Sequence, residues 1–346
     1  PIFTKTCAQG DVCGAFLTKT AVRKARSFRQ KSAVPGRDAE RGNNMFKFIL
    51  KRIGTMLVAM FMIILLTFVL MHSIPGGPFT NTKGVPEEVT AAMEAKYGLD
   101  QPMPVQFFNY LGNLLHGDFG PSYKYTGKTV NDFIATGAPV SAKLGLVTLV
   151  FVLITAIPMG ILAALKNNRW QDMLLMAIAT IGVTIPSFVI ASVLIYVFAF
   201  KLNVLPTFGL DSWKSYILPM IAMGGYSVSY LARLMRSSMG QDYIRTARAK
   251  GLTEFAVVTK HALRNALIPV ITVLGPTVAG LLTGSFVVEK IFAIPGIGYY
   301  FVNSVTQRDY TTIMGVTIFF AAFLMAMVLL VDIFYCLIDP RIKFDT

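Results

Sequence analysis

Few residues in this sequence have the types and the spacing that enzyme chemistry requires. Gly127-Lys128-Thr129 matches the last part of a phosphate-binding loop, but Ser122 stands where that loop needs its first glycine. None of the histidines belongs to an H-E-x-x-H zinc pattern, since they are far apart in the chain. They are His72, His116 and His261. We therefore predict no catalytic residue, no metal site and no bound cofactor in this chain.

A different kind of pattern occupies residues 233–264, which are rich in Lys and Arg. Apolar and basic residues alternate through YIRTARAKGL at 243–252, and Gly251 separates two stretches that we predict to be short helices. Asp242 and Thr253 are expected to cap their N-termini. A basic stripe beside an apolar one is typical of a helix on a membrane surface or of one inserted into a partner's groove. The residues alone leave both possibilities open.

The composition is that of a membrane protein. Of the 346 residues, 54% are hydrophobic and 14% are charged, whereas soluble domains contain about 25% charged residues. The formal net charge of +14 does not indicate nucleic-acid binding, because the basic residues are divided between the N-terminal stretch and short loops.

Six apolar stretches lack Asp, Glu, Lys and Arg. They are 53–74, 144–165, 173–200, 215–232, 265–288 and 311–331. A bilayer core requires about 20 residues of helix, and one charge at its middle costs about 2.5 to 3.5 kcal/mol. We therefore predict an all-α membrane protein with six transmembrane helices. Both termini are expected in the cytoplasm, because Lys and Arg are then concentrated in the cytoplasmic segments.

Residues 75–143 form an outer loop that is too long to lack structure. We predict a helix over 86–97 that ends at Gly98. A second helix is expected to carry Val105, Phe108, Leu111 and Leu115 on its apolar face. Both should lie over the outer mouth of the bundle.

Several longer motifs together resemble one family. The strongest are YIRTARAKGL at 243–252, HALRNALIPV at 261–270, PGIG at 295–298 and RDY at 308–310, with weaker support from HGDFGPS at 116–122 and PVSAKLG at 139–145. From Met45 onward the chain resembles the binding-protein-dependent permeases of ABC importers, and among them the first permease subunit of the oligopeptide and dipeptide branch. The resemblance implies the type I ABC importer permease fold.

The same resemblance implies that the loop around 243–263 docks into a cleft on an ATPase subunit. The implied coupling residues are Tyr243, Ile244, Arg245, Thr246, Ala247, Arg248, Ala249, Lys250, Gly251, Leu252 and His261. Arg245 stands at the glutamate of the family's E-A-A pattern, so a salt bridge assigned to that glutamate does not carry over. A second set of family-motif residues is expected in the last outer loop. They are Pro295, Gly296, Gly298, Arg308, Asp309 and Tyr310.

By resemblance, the partners are a second homologous permease, two cytoplasmic ATPase subunits that bind ATP and Mg, and an extracytoplasmic peptide-binding protein. This chain is then no enzyme but half of a pathway for oligopeptides across the bacterial inner membrane. Dipeptides, nickel and glycosides stay open as solutes, because the branch shares one scaffold. The charge-free spans disfavour an ATPase-independent channel or secondary carrier, and we predict no nucleic-acid partner and assign no substrate-binding residue.

Three regions are expected. Residues 1–44 are basic and lack an apolar run, so we expect an N-terminal extension that is disordered or not native. Residues 45–138 would hold the first transmembrane helix and the outer loop domain. Residues 139–346 would form the five-helix transmembrane domain of an ABC importer, with its coupling loop at 233–264.

Overall fold

The structure is a computed structural model that describes residues 37–75, 77–79, 87–239, 244, 246 and 249–338. The chain divides into a unit of residues 55–338 and a unit made of its two ends, residues 1–54 and 339–346. In the second unit the structure describes only the helical residues 37–54. The architecture below concerns residues 55–338.

Helices make up nearly all of the regular structure, as the composition predicts. They are α1 Arg37–Ser73, α2 Glu87–Lys96, α3 Met103–Leu115, α4 Val130–Leu165, α5 Trp170–Thr184, α6 Ser187–Leu194, α7 Ile217–Ser238, α8 Glu254–Ala256, α9 Leu263–Leu282, α10 Phe286–Ile291, α11 Ile297–Gln307 and α12 Tyr310–Ile338. Two π-helices, Ile195–Lys201 and Val257–Ala262, continue α6 and α8. Helix α1 begins upstream of the predicted boundary at Met45.

Among the described residues, four stretches are long and apolar enough to cross a membrane. They are Ile49–Ser73, Val130–Leu165, Glu254–Ile291 and Tyr310–Ile333, and α5 with α6 would make a fifth if that bent pair is one span. Helix α7 covers the predicted fourth span, but its glycines, serines and arginines keep it outside this group. The prediction of an all-helical membrane protein is thus confirmed. By length and hydropathy, the described residues provide four or five spans and not the predicted six.

The predicted third span, 173–200, is not continuous. Helices α5 and α6 meet at an angle of 108°. Pro186 stands at the break, and Ile185 before it has the extended conformation that a following proline favours. The proline has no N–H to donate, so the helix ends with the bond from Ile185 N–H to Ile181 O at 2.9 Å.

The predicted fifth span, 265–288, is also interrupted. Helix α9 ends at Leu282, and Gly284 has a φ of +83°, a left-handed conformation that favours glycine. Ser285 then caps α10 by accepting a hydrogen bond from Val288 N–H at 3.3 Å.

Helix α4 is the element against which much of the bundle packs, since it contacts α5, α7, α9, α11 and α12. Small residues on α4 allow this. A Cβ at Gly160 would lie 2.7 Å from Ala232 O in α7, and a Cβ at Gly145 would overlap Leu281 O in α9. Backbones approach this closely only where a side chain is missing.

The outer loop contains both predicted helices. Helix α2 is confirmed, and it ends where Gly98, at a φ of +68°, lets Leu99 N–H donate to Glu94 O at 2.9 Å. Helix α3 is also confirmed, but the face predicted for it is wrong. Val105, Phe108 and Leu115 are exposed.

The buried face of α3 is centred on Phe107, which packs against Phe68 of α1 with ring centroids 5.2 Å apart. Tyr110 and Leu114 join the same cluster, together with Leu111, the one correctly predicted member. The polar residues Gln106, Asn109 and Asn113 share one side of α3, and apolar residues cover the rest, so the contact with α1 and α12 decides which of the apolar residues are buried.

The close approach of α4 and α9 gives a stability prediction. Gly145→Ala should lower the free energy of unfolding by about 1 to 3 kcal/mol, because the added methyl group overlaps a backbone carbonyl that cannot rotate away. The melting temperature of detergent-purified protein measures this. Gly280→Ala in the facing helix α9 is the matched control, because a Cβ at Gly280 has no neighbour within 4 Å. Equal melting temperatures for the two variants would contradict the packing described.

Candidate functional site

The segment with the alternating basic and apolar residues is anchored in the core at both ends. Ile244, Val257 and Ala262 are buried in the same apolar cluster as Met235 and Met239. Ile244, Thr246 and Ala249 are helical, and Lys250 N–H donates to Thr246 O at 3.2 Å. Apolar contacts therefore hold one side of the segment against the core, and the other side faces away from the core.

The exposed side is the tip of this segment. Ala249, Lys250, Gly251 and Leu252 are exposed, and Phe255 is 79% exposed although it is a large apolar residue. Gly251 has a φ of +74° and no neighbour within 4 Å of a Cβ position, so backbone conformation and not space requires glycine here. The predicted helix-Gly-helix pattern is confirmed at this glycine.

Some predicted details of the segment differ or fall outside the described residues. Thr253 is the N-cap residue of α8, as predicted, but its side chain makes no capping hydrogen bond. His261 lies in the π-helix that follows, and its side chain is not described. Asp242 and the predicted coupling residues Tyr243, Arg245, Ala247 and Arg248 lie outside the described residues.

An ion pair holds the end of α7 just before this segment. Arg236 Nε donates to Asp172 Oδ1 at 2.6 Å and Arg236 Nη2 to Asp172 Oδ2 at 2.7 Å, so the pair is bidentate. Asp172 is 2% exposed and also accepts from Asn168 N–H at 2.9 Å. The α4–α5 turn is thereby fixed to α7 by charge-assisted bonds.

At the other end of the bundle, Asp309 joins two of the predicted motifs. Its carboxylate is fully buried. Oδ2 accepts from Ser122 Oγ at 2.5 Å and from Thr312 Oγ1 at 2.8 Å, and Oδ1 accepts from Tyr123 N–H at 3.1 Å. The aspartate of RDY therefore binds the serine of HGDFGPS, which ties the outer loop to the start of α12.

The neighbours of Asp309 in the RDY motif have other surroundings. Arg308 ends α11 with a left-handed φ of +57°, and its Nη1 lies 3.5 Å from Pro75 O. Tyr310 is 5% exposed.

A second buried carboxylate, Glu289, explains the PGIG motif. Glu289 is fully buried, and its Oε2 accepts from Gly298 N–H at 2.8 Å. Ser141 on α4 hydrogen-bonds the Glu289 carboxylate and accepts from Ile297 N–H at 3.0 Å. A Cβ at Gly296 would overlap both the Glu289 and the Ser141 oxygens, so only glycine fits. Pro295 is exposed and takes no part.

Sequence reasoning missed Glu289, Ser141 and Asp172 as individual residues. Glu289 directly follows the charge-free stretch 265–288, and Asp172 directly precedes 173–200. A single acidic residue at the edge of an apolar run is a usable signal, because burying it requires hydrogen-bond donors nearby.

The remaining nucleotide-like pattern has a structural role. Thr129 of Gly127-Lys128-Thr129 is the N-cap of α4. Asp132 N–H donates to Thr129 Oγ1 at 3.2 Å, and Thr129 N–H donates to Asp132 Oδ2 at 2.8 Å. This is a capping box, which satisfies helix donors that a phosphate would otherwise occupy.

Two regions of the chain match two related protein families. Residues 156–344 match the family described as binding-protein-dependent transport system inner membrane component, and residues 45–129 match the N-terminal family of the same membrane components. The chain belongs to the binding-protein-dependent transport system inner membrane component family. The interpretation of the motifs as those of a transport permease is thus confirmed, and the chain is a multi-pass inner-membrane transport component and not itself an enzyme.

Relatives in this family are similar over nearly their whole length. The dipeptide transport system permease protein DppB of Bacillus subtilis is 48% identical over 303 residues, which are 86% of this chain and 98% of that protein. The oligopeptide transport system permease protein OppB of Haemophilus influenzae is 45% identical over 306 residues, 87% of this chain and 100% of that protein.

Among solved structures, inward-facing MetNI, described as a methionine ABC transporter, matches at 17% identity with a TM-score of 0.46, covering 60% of this chain and 94% of that chain. At this level of similarity the match adds nothing to the family assignment.

The buried carboxylate that joins the two outer motifs of this permease gives a second prediction. Asp309→Asn replaces one acceptor oxygen by an amide nitrogen, so at least one buried donor loses its partner, at a cost of about 1 to 3 kcal/mol. The variant should melt at a lower temperature and be cleaved faster by protease between α2 and α4. Asp100→Asn, an exposed aspartate in the same loop, is the control and should behave as the native protein. Native-like cleavage of Asp309→Asn would show that the motifs are not held by this carboxylate.

Proposed function

We propose that this chain is one of two transmembrane subunits of an ATP-driven importer that carries oligopeptides across the cytoplasmic membrane. The observation that carries the proposal is 43–48% identity, over nearly the whole length of each, to dipeptide and oligopeptide permeases. Dipeptides are the second candidate, favoured by the 48% identity to the Bacillus subtilis dipeptide permease. No described feature favours nickel or a glycoside.

The proposal includes an orientation and a set of partners. The chain crosses the membrane six times, with α5 and α6 as one bent span and α7 as another, and both termini are cytoplasmic. It pairs with a second permease of its family, with two ATPase subunits that bind ATP and Mg, and with an extracytoplasmic peptide-binding protein. The surplus of Lys and Arg in the segments assigned to the cytoplasm supports this orientation.

The exposed tip around Gly251 is proposed to dock on an ATPase subunit. The tip combines an exposed aromatic residue, Phe255, with an exposed cation, Lys250, on a segment whose ends are buried in the bundle core. An apolar residue that is 79% exposed at a chain reversal is suited to insertion into a groove. Movement of the ATPases would then reach α7 and α9 through Ile244 and Val257.

The function is tested by uptake of labelled peptides of two to six residues into cells that lack only this subunit, with and without its restoration. Restored uptake that disappears when the ATPase genes are deleted is the expected result. Uptake that survives loss of the ATPases would instead establish a carrier, and no effect of the chain on peptide uptake would refute the proposed solute.

The coupling role of the tip gives a sharper prediction. Gly251→Pro should reduce peptide uptake to background while leaving membrane insertion and the amount of protein unchanged, because proline fixes φ near −65° and the native φ is +74°. ATP hydrolysis by the assembled importer should no longer respond to peptide-loaded binding protein.

Gly127→Pro is the matched control for this variant. Gly127 is also left-handed, at a φ of +78°, and also has no neighbour within 4 Å of a Cβ position, but it lies in the outer loop. The two variants impose a similar local strain, so uptake should be lost for Gly251→Pro and kept for Gly127→Pro. Equal uptake by both would refute coupling through the tip.

A further inference from the structure

One face of helix α7 carries polar side chains that the rest of the described chain leaves uncovered. Tyr226 is 59% exposed and Tyr230 is 41% exposed. Arg233, which is partly exposed, and Ser237, which is exposed, continue the same face, because residues spaced by three or four along a helix lie one above the other. We call these four residues the α7 stripe.

The exposed faces of two other long helices have a different composition. Leu146, Val150 and Ile154 share the exposed face of α4, and Leu57 and Phe61 share that of α1. Such apolar faces suit contact with lipid tails, which offer no hydrogen bonds. The α7 stripe does not suit that contact, because its phenol hydroxyls would lose the partners that water provides.

The break between α5 and α6 lies at the level of the α7 stripe. A Cβ at Gly182, near the end of α5, would lie 2.8 Å from Gly225 O. A Cβ at Gly225 would lie 3.7 Å from Ile190 Cδ1 in α6. Both sides of the break therefore contact α7 at Gly225, the residue directly before Tyr226.

The backbone at this break is open. Residues 184–186 are exposed, and no described residue donates a hydrogen bond to the carbonyl oxygens of residues 182–185. Non-helical backbone at membrane depth is tolerated only where it is buried in protein or lines a water-filled cavity. The break and the α7 stripe thus have the same requirement at the same level, which is an aqueous passage or a partner protein.

The sizes of the side chains favour a passage over a permanent helix contact. Helices in membranes associate closely through small residues. The small residues Gly224 and Ser229 of α7 are already used within this chain, since they lie against α4 and α5 respectively. The α7 stripe instead presents two large rings, which stack with centroids 6.2 Å apart and an angle of 2° between their planes.

The groups at this level match the backbone of a peptide. A phenol hydroxyl can donate to a peptide carbonyl, and an open backbone carbonyl can accept from a peptide N–H. The rings offer apolar contact to side chains of many kinds. The α7 stripe contains no carboxylate, thiolate or imidazole, so it lacks the side chains that usually bind a metal ion such as nickel.

From these features we propose that the α7 stripe and the open carbonyls of residues 182–185 line the passage and bind the backbone of a peptide in transit. Tyr226 and Tyr230 donate to its carbonyls, and the open carbonyls accept from its N–H groups. The inference rests on the proposed function for peptides as solutes and for α7 and the bent pair as membrane spans. It deepens that function by assigning the residues that contact the solute.

Water access to the α7 stripe is tested in membrane vesicles of both orientations that contain the complete importer, with the native cysteines replaced by serine. Tyr226→Cys should react with a charged, membrane-impermeant thiol reagent, and Val150→Cys should not. Val150 is the matched control because it is 55% exposed. It also lies at the same level, since a Cβ at Gly224 would lie 3.1 Å from Val152 Cγ2.

A cysteine in the exposed outer loop, Thr126→Cys, shows that the reagent is active. Failure of the reagent to modify Tyr226→Cys while it modifies Thr126→Cys would overturn the proposal. Reaction of Tyr226→Cys with a lipophilic maleimide alone would then assign the face to lipid. Cross-linking of Tyr226→Cys to the second permease would assign it to the subunit interface.

Binding by the hydroxyls is tested by uptake of labelled tetra-alanine into proteoliposomes that contain the complete importer. Tyr226→Phe and Tyr230→Phe should each lower ATP-dependent uptake about fivefold, as expected for one lost hydrogen bond. ATP hydrolysis and its response to peptide-loaded binding protein should stay unchanged, which loss of folding or of coupling would not allow.

Tyr196→Phe is the matched control for these variants. Tyr196 is also an exposed tyrosine, but it lies on the π-helix that continues α6 and outside the α7 stripe, so uptake should stay at the native rate. Native uptake by both Tyr226→Phe and Tyr230→Phe would overturn the assignment of their hydroxyls to the peptide.

The unmodified importer distinguishes failure of this inference from failure of the proposed function. Peptide uptake by the unmodified importer, with Tyr226→Cys unreactive, would refute the passage lining alone. Absence of peptide uptake by the unmodified importer would refute the proposed function, whichever cysteines the reagent modifies.

Discussion

Close contact between helix backbones is the constraint on which the rest of this fold depends. In a bilayer the hydrophobic effect does not drive one apolar helix against another, because lipid tails are as apolar as the helix surface. Packing between small residues must therefore supply the association. Helix α4 has glycine at 145 and 160 where α9 and α7 approach, and at 137 where the PGIG turn rests on it. Any side chain at these positions would separate the elements.

Polar contacts then fix the turns that such packing leaves undefined. Asp309 holds the outer loop to α12, Glu289 holds α10 and the PGIG turn to Ser141, and Asp172 holds the α4–α5 turn to Arg236. Each is a buried carboxylate supplied with donors, so each is stable only in one arrangement. The tip around Gly251 lies beyond these contacts, and the buried apolar residues Ile244, Val257 and Ala262 anchor its ends in the core, which suits a segment that has to transmit movement.

The family motifs were recognised correctly in the sequence, but the hydrogen-bond partners of their residues were not. RDY and PGIG were recognisable in the sequence. Asp309 of RDY binds Ser122, which is 187 residues away, and Gly298 of PGIG binds Glu289, which lies outside that motif. The face of α3 was predicted wrongly because apolar residues cover most of that helix, so the contact with α1 and α12 decides which of them are buried. In each case the deciding contact is made with another element.

The sequence by itself determined that the chain is helical and embedded in a membrane, because charge-free runs of that length have no other stable environment. It also determined the helix ends at Gly98 and Gly251, since a left-handed residue is a local property of the backbone. Only the tertiary structure decided which carboxylates are buried with donors, and which side of α3 packs against α1 and α12. Both depend on distances between residues that are far apart in the chain, and no local pattern encodes those distances.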